Sequence, residues 1–416
     1  MKTKLIRIAA IITVSSLPHV SIAADWSITG LESFGSTSNG AGSINNSGQV
    51  LVSYIWPVHT AYITPEHPEC YPCSYLTGDN GIGIVSTFEK AYAGTGVTPY
   101  SINDSGQITG ITYVPDPSFT EKTRPVSFIT GPGGIGKTDI VAPDAGAPIY
   151  ALAVNNSGQV TGFFGADKSA YYAAKGISVY QSNHAFITGP NGVGFTDLGT
   201  LGGQSSYAMD INSTGQVVGS FVKDFVKDTE WHTFYTGPDG IGLHDLGISG
   251  GIGSIVINDS GDIVMNYFIS GKSHAYYIDH TNHIPADFSA LGGDYVSVSD
   301  INNEGQIIGI ASKYNISDAF LYTNGVMVNL SHLDVVINNG WTDINPTAIN
   351  DHGQVVGSGR HNGVVQPFFL TITDDKVFFD NYVTVLLPAV PEPQTYALLL
   401  AGLGLLFFRT KTELNS

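Results

Sequence analysis

The stretch Ile44-Asn45-Asn46-Ser47-Gly48-Gln49-Val50 decides the fold, because the same phrase returns beginning at Ile102, Val154, Ile211, Ile257, Ile301 and Ile349. Its Asn stands at 45, 103, 155, 212, 258, 302 and 350, so successive copies are 58, 52, 57, 46, 44 and 48 residues apart. Asn tolerates turn geometry and can bond its own backbone, while the Gly three residues on supplies the positive φ that closes a short loop with a bulge. Alternation marks a strand on each side. Ala208, Asp210 and Asn212 take turns with Met209 and Ile211 before the turn, and Val217-Val218-Gly219 follows it. Each copy reads as an antiparallel hairpin.

A second phrase lies between the copies, as His184-Ala185-Phe186, His232-Thr233-Phe234, His274-Ala275-Tyr276, Asp318-Ala319-Phe320 and Pro367-Phe368-Phe369, with looser versions at Ser74-Tyr75-Leu76 and Ser127-Phe128-Ile129. Most are followed by a Gly-rich turn such as Thr188-Gly189-Pro190-Asn191-Gly192 and a strand ending in Asp197-Leu198-Gly199 or its kin. That is a second hairpin, also expected seven times. Two hairpins make four strands, and seven four-stranded units of roughly 40 to 50 residues predict an all-β, seven-bladed β-propeller. An open β-solenoid or repeat array is the alternative. The opening Ile28-Thr29-Gly30-Leu31-Glu32 reads as a second strand of the first phrase and the closing Phe368 to Ile372 as a first strand, so a last blade built from both termini would latch the ring.

Composition agrees. Of 416 residues, 42% are hydrophobic and 12% charged, which excludes a disordered acidic tail, and 50 Gly argue for many turns rather than long helices. The formal net charge of −18 excludes a nucleic-acid partner.

The two ends carry an address. Lys2, Lys4 and Arg7 precede an apolar run from Ile8 to Val14 and small residues at Ser21 and Ala23, the pattern of a secretory signal peptide over residues 1–23. The propeller is expected over 24–385, in an oxidising compartment. Residues 388–416 contain Val390-Pro391-Glu392-Pro393, an apolar run from Tyr396 to Phe408, and then Arg409 and Lys411. Basic residues after a short apolar helix would lie on the cytoplasmic side, leaving everything upstream exported. These last residues resemble the PEP-CTERM sorting signal of Gram-negative bacteria. The resemblance implies processing by exosortase-type sorting machinery, transient or permanent membrane anchoring by the C-terminal helix, and a destination at the cell surface or in an extracellular, exopolysaccharide-rich matrix such as a biofilm. A plain C-terminal membrane anchor is the other reading.

The repeat unit from His184 to Gly219 resembles the extracellular HAF repeat, which runs from His-Ala-Phe through Asp-Leu-Gly-Thr-Leu-Gly-Gly to Ile-Asn-x-x-Gly-Gln-Val-Val-Gly. Other units drift from it, with Ser249-Gly250-Gly251 and Leu291-Gly292-Gly293 as partial echoes. The resemblance implies an exported repeat protein and no particular activity.

Several features invite a chemical reading. His184 with Asp197, His232 with Asp245 and His274 with Asp287 are each 13 apart, like a base and the carboxylate that orients it. Recurrence in several units favours instead a cross-strand bond, with the two residues opposite each other across the second hairpin. Five turns spell Asn-x-Ser/Thr, as glycosylation acceptors do, and Asn103-Asp104, Asn258-Asp259 and Asn350-Asp351 hint at calcium. Turn chemistry explains the first group, and the second lacks the alternating oxygen ligands and distal Glu of a calcium loop. No metal or other cofactor is expected. Cys70 and Cys73, preceded by His67, could hold a metal, act as a redox pair or close a disulfide; a local disulfide stapling the Pro-rich loop from Pro57 to Pro72 is the reading adopted. The insertion from Gly165 to Asn183, with Tyr171, Tyr172 and Tyr180, could carry a sugar-binding edge or pack an extra hairpin.

Two functions of different class are open. One is a non-enzymatic surface or matrix scaffold or adhesion protein, with exopolysaccharide or cell-surface carbohydrate as partner. The other is a secreted polysaccharide hydrolase or lyase working at the propeller axis. An active centre needs charged residues that break the repeat at the axis. The phrase-bearing strands are poor in Arg, Lys and Glu, and neither an Arg cluster nor paired carboxylates stand out. No catalytic residue is assigned, and the scaffold is expected.

Overall fold

The computed structural model describes residues 26–33, 39–54, 74–88, 97–115, 123–143, 147–166, 182–224, 228–269, 272–281, 285–287, 295–313, 316–323 and 326–372. Five four-stranded antiparallel sheets and one seven-stranded sheet make up the fold. The seven-stranded sheet is two blades sharing one strand, Leu243–Ile257. Its first half pairs with Asp228–Thr236 and its second with Ile263–Ile269. Gly250 stands at the junction with φ 152°, and a Cβ there would come within 2.7 Å of the Tyr267 ring, so the strand can pass from one blade to the next only through glycine.

The chain is therefore a seven-bladed β-propeller. Blade 1 shows the plan: Asn39–Ile44 nearest the axis, then Val50–Tyr54, Ser74–Thr77 and Ile84–Phe88 outward. The first phrase is the turn between strands one and two of every blade, and the second phrase lies on strand three. Blade 7 takes Trp341–Ile349, Val355–His361 and Val364–Ile372 from the end of the described chain and its outermost strand, Trp26–Gly30, from the beginning. Trp26 lies opposite Ile372 and Gly30 opposite Phe368. The latch built from both termini is thus present, with two corrections: Ile28 to Gly30 form a fourth strand, the place of Asp197-Leu198-Gly199 in blade 3, and not the second strand of the first phrase, and Phe368 to Ile372 belong to the third strand of the blade and not a first. The second hairpin is accordingly continuous in six blades and closed by the latch in the seventh.

Strand alternation puts one set of side chains on each sheet face, and each face meets a neighbouring blade. Seven apolar clusters result, one at each blade-to-blade contact. Leu51 and Leu76 of blade 1 pack on Ile102, Ile108 and Phe128 of blade 2. Ala348, Val356 and Phe369 of blade 7 pack on Val50 and Tyr75 of blade 1, which closes the circle. Each fully buried side chain of this kind contributes ~1.5–3 kcal/mol. By comparison, the ion pairs Lys137–Asp139 and Arg360–Asp343 are exposed and contribute little. Among the described residues no helix is long and apolar enough to cross a membrane.

Candidate functional site at the propeller axis

The seven phrase turns converge on the axis. In each, the Gly three residues after the Asn has φ between 69° and 88°, as the sequence predicts. A Cβ on Gly48 would also meet the backbone of Asn80 at 2.8 Å, because the second-hairpin turn of the same blade packs directly against the phrase. The Asn side chain is buried, from 2% exposed at Asn45 to 5% at Asn155, and its bonds explain why it recurs. Oδ1 of Asn302 accepts from the backbone N–H of Glu304 at 3.1 Å and Gln306 at 2.9 Å, while Nδ2 donates to Gln306 Oε1. Nδ2 also donates across the blade boundary to the carbonyl of Asn350 at 2.9 Å. The same boundary-crossing bond runs from Asn45 to Asn103, to Asn155, to Asn212, to Asn258 and to Asn302, and Asn350 returns it to the carbonyl of Asn45 at 2.9 Å. Seven side chains close one ring of hydrogen bonds around the axis.

The next residue of each phrase lies on an outer, more exposed circle, bonded from blade to blade everywhere but between Asn156 and Ser213. The backbone N–H of Asn46 donates to Asp104 Oδ1, that of Asp259 to Asn303, that of Asn303 to Asp351, and that of Asp351 back to Asn46, at 2.8 to 3.0 Å. Asp104, Asp259 and Asp351 are therefore more than solvated turn residues, since their carboxylates accept from the neighbouring blade. Burial and the donated Nδ2 bonds also take the five Asn-x-Ser/Thr acceptors out of reach of a sugar transferase in the folded chain.

These rings surround a cavity of about 180 Å³ lined by Ile-Asn-x of six blades, by Val154-Asn155-Asn156 of blade 3 and by Asp300. Asp300 and its counterpart Asp210 lie two residues before the Asn of blades 6 and 4, each just after a register shift that turns the inner strand. Asp210 accepts from the backbone N–H of Ile211 and, across the blade boundary, of Ile257, both at 2.9 Å. Asp300 does the same with Ile301 and Ile349, again at 2.9 Å. Burial pushes both carboxyls up to about 7 against the lowering effect of these amide bonds, and the charge of Asp210 adds to the rise at Asp300. Neither acid was singled out from the sequence. The signal was in the sequence: five phrases carry Ser, Ala or Val at this position, at 43, 101, 153, 256 and 348, and only two carry an acid.

The second-phrase pairs lie on strands three and four, away from this cavity. His184 Nδ1 meets Asp197 Oδ2 at 2.8 Å. They are diagonal and not opposite, because Phe186 is the residue across from Asp197. In blade 4 the pair is interrupted: Lys223 Nζ lies 3.5 Å from His232 Nδ1 and 3.7 Å from Asp245, and the His232 ring stacks on Phe221. In blade 5 the backbone again sets Tyr276 opposite Asp287, whose side chain is outside the described residues. Cys70, Cys73, Tyr171, Tyr172 and Tyr180 fall outside them too. Among the described residues, the one cluster of metal-ligating types, Asp262, Asp279 and His280, is on blade 5.

Comparison with known proteins adds an address and a fold. Residues 389–411, also outside the described residues, match the PEP-CTERM protein-sorting motif, which covers Val390, Pro391, Glu392, Pro393, Arg409 and Lys411. The chain thus ends in an exosortase sorting signal, and the protein is an exported one processed at a C-terminal membrane segment. No curated protein matches the sequence. Among solved structures, the β-propeller domain of the Trilobed protease from Pyrococcus furiosus is similar at 9% identity and TM-score 0.53, over 81% of this chain and 96% of that one. The Pyrococcus horikoshii acylaminoacyl peptidase is similar at 10% identity and TM-score 0.51, over 80% of this chain, which spans 52% of the peptidase. At such identities the likeness is one of fold alone.

Proposed function

We propose that this protein is a non-enzymatic, surface- or matrix-associated propeller that binds exopolysaccharide or cell-surface carbohydrate without turning it over. The observation that carries this reading is the closed ring of Asn side chains: the polar groups most numerous at the axis are spent on joining the blades, which is what a rigid display scaffold requires. The His184–Asp197 bond joins strands three and four of blade 3, away from the axis, as a register-holding bond does. The leader over 1–23, the body over 24–385 and the HAF-like unit from His184 to Gly219 fit an exported repeat protein. In this reading residues 388–416 decide where the protein works. Deleting Pro391 to Ser416 should move the folded protein from membranes to the soluble fraction and abolish any biofilm phenotype. The intact protein, incubated with its host's exopolysaccharide, should bind it weakly and leave polymer length unchanged.

One observation favours the alternative, a polysaccharide hydrolase or lyase: Asp210 and Asp300 share the axial region with acidities poised near neutrality, as acid–base pairs do. Shortening of the polymer by the wild type, lost in Asp300→Asn, would replace the scaffold by the enzyme.

A further inference from the structure

In a repeat protein the other blades serve as the reference for each one, and blade 5 departs from them twice at one spot. Four residues after the phrase Asn, six blades carry Gln, at 49, 107, 159, 216, 306 and 354; blade 5 carries Asp262. Where resolved contacts show it, that Gln reaches across to the second-hairpin turn of the next blade, as Gln107 does to Asn191 at 3.0 Å, Gln159 to Asp239 at 3.1 Å and Gln354 to Asn80 at 2.9 Å. Asp262 instead turns to its own blade, where Oδ1 accepts from His280 Nδ1 at 2.8 Å and from its backbone N–H at 3.0 Å. The second departure is the turn that holds His280. Blades 2, 3 and 4 have Gly-Pro-x-Gly there, at Gly131, Gly189 and Gly237, and blade 5 has Asp279-His280-Thr281.

The two changes place a carboxylate oxygen of Asp262, one of Asp279 and an imidazole nitrogen of His280 within 4.8 Å of one another. Asp279 Oδ1 accepts from the backbone N–H of Thr281 at 2.7 Å and from its hydroxyl, which holds this carboxylate beside the other two groups. Two carboxylates at such separation repel unless a cation offsets them. The environment is graded as a chelating site needs: Asp262 is 9% exposed, while His280 opens to solvent and leaves an entry path. Beneath them, the hydroxyl of Tyr277 bonds Asp262 and its acidity is weakened by burial first and by that charge second.

We propose that Asp262, Asp279 and His280 form a divalent transition-metal site on the rim of blade 5, with zinc as the ion it takes best. Two hard oxygens and one imidazole are a zinc-compatible set, short of the six to eight oxygens that calcium requires. Binding displaces the proton that bridges His280 Nδ1 and Asp262 Oδ1, so uptake releases protons.

The test uses the full chain in detergent with Cys70→Ser and Cys73→Ser, which removes the competing thiol ligands. Isothermal titration with zinc chloride at roughly neutral pH, above the ordinary His value of about 6.5, should show one saturable site whose observed heat varies linearly with buffer ionisation enthalpy, the slope giving the protons released. Asp279→Asn and His280→Gln, on a turn where Asp279 is half-buried and His280 exposed, should each weaken it by roughly tenfold or more, with melting in EDTA unchanged. Absence of saturable zinc binding overturns the proposal, as does binding that both variants leave intact or a response to calcium with none to zinc.

Discussion

Removing one member of the Asn ring is the sharpest perturbation the fold offers, and Asn302 is the clearest member. Alanine at 302 erases four hydrogen bonds: two accepted from the backbone of Glu304 and Gln306, one donated to Gln306 Oε1 and one donated to the carbonyl of Asn350. At about 1 kcal/mol net for each, the loss is ~4 kcal/mol, and stranding the buried N–H of Gln306 and carbonyl of Asn350 holds it at the upper end of single substitutions. Aspartate separates the two roles of the side chain. It keeps the accepting oxygen but faces a second oxygen toward the Asn350 carbonyl, so Asn302→Asp should lose ~2–4 kcal/mol at pH 7 and recover part of that in acid, where a protonated carboxyl can donate again. The side chain of the exposed neighbour Asn303 makes three inter-blade bonds, to Asp259 and Asp351, against one from Asn302, yet water can replace them, and Asn303→Ala should cost under about 1 kcal/mol. Urea unfolding followed by tryptophan fluorescence and circular dichroism gives all three values. A cost below ~1 kcal/mol for Asn302→Ala, or equal costs at 302 and 303, would refute the view that the buried ring joins the blades.

Three further outcomes are expected. Asp210 and Asp300 are held near 7 in the fold against an ordinary value of 3.8, so the folded protein binds protons that the unfolded chain has released; their contribution to stability is fully present below about 4 and is lost as pH rises through about 7, and melting scans from acid to alkali should show Asp210→Asn with Asp300→Asn flattening that fall. A chain shortened through Gly30 loses the outermost strand of blade 7 and uncovers the edge from Phe368 to Ile372, so limited proteolysis should cut blade 7 first; an unchanged digestion pattern would count against the latch. Cys70 and Cys73 should resist thiol-specific labelling in denaturant without reductant when the protein is taken from the periplasm, whereas two reactive thiols would exclude the disulfide.

The blade count was legible because each phrase solves a local problem that has few solutions. Asn45 and Gly48 close a turn whatever the tertiary context, and alternation around them fixes which face of each strand is apolar. What Asn45 does with its remaining amide protons was not legible, since the acceptor is a carbonyl 58 residues away in the next blade. The misplacement of Ile28 to Gly30 has the same origin: a strand in isolation carries no label for second or fourth, and only pairing with Phe368 to Ile372 assigns it. The His–Asp spacing of 13 was counted as if the hairpin were regular, but a register shift between Ala185 and Phe186 moves Asp197 opposite Phe186 and leaves His184 on the diagonal.

Deviation from the repeat is where such a sequence speaks of anything beyond its fold. The bonds that Asn302 makes are made in every blade, and a residue fixed by that need says nothing about a ligand. Asp210 and Asp300 replace small or apolar residues and still bridge neighbouring inner strands through the amides of Ile257 and Ile349, so their substitution is compatible with closure and adds titratable charge to the axis. Ser43 and Ser101 accept the same inter-blade amide at 3.4 Å with a neutral hydroxyl, and three blades dispense with the contact altogether by carrying Ala or Val. Closure therefore does not require an acid at this position. The burial that raises both carboxyls to about 7 works against the charged fold at neutral pH, and a residue type that the ring can do without, kept at that expense in two blades, marks the axial cavity as the part of the propeller where binding should be sought.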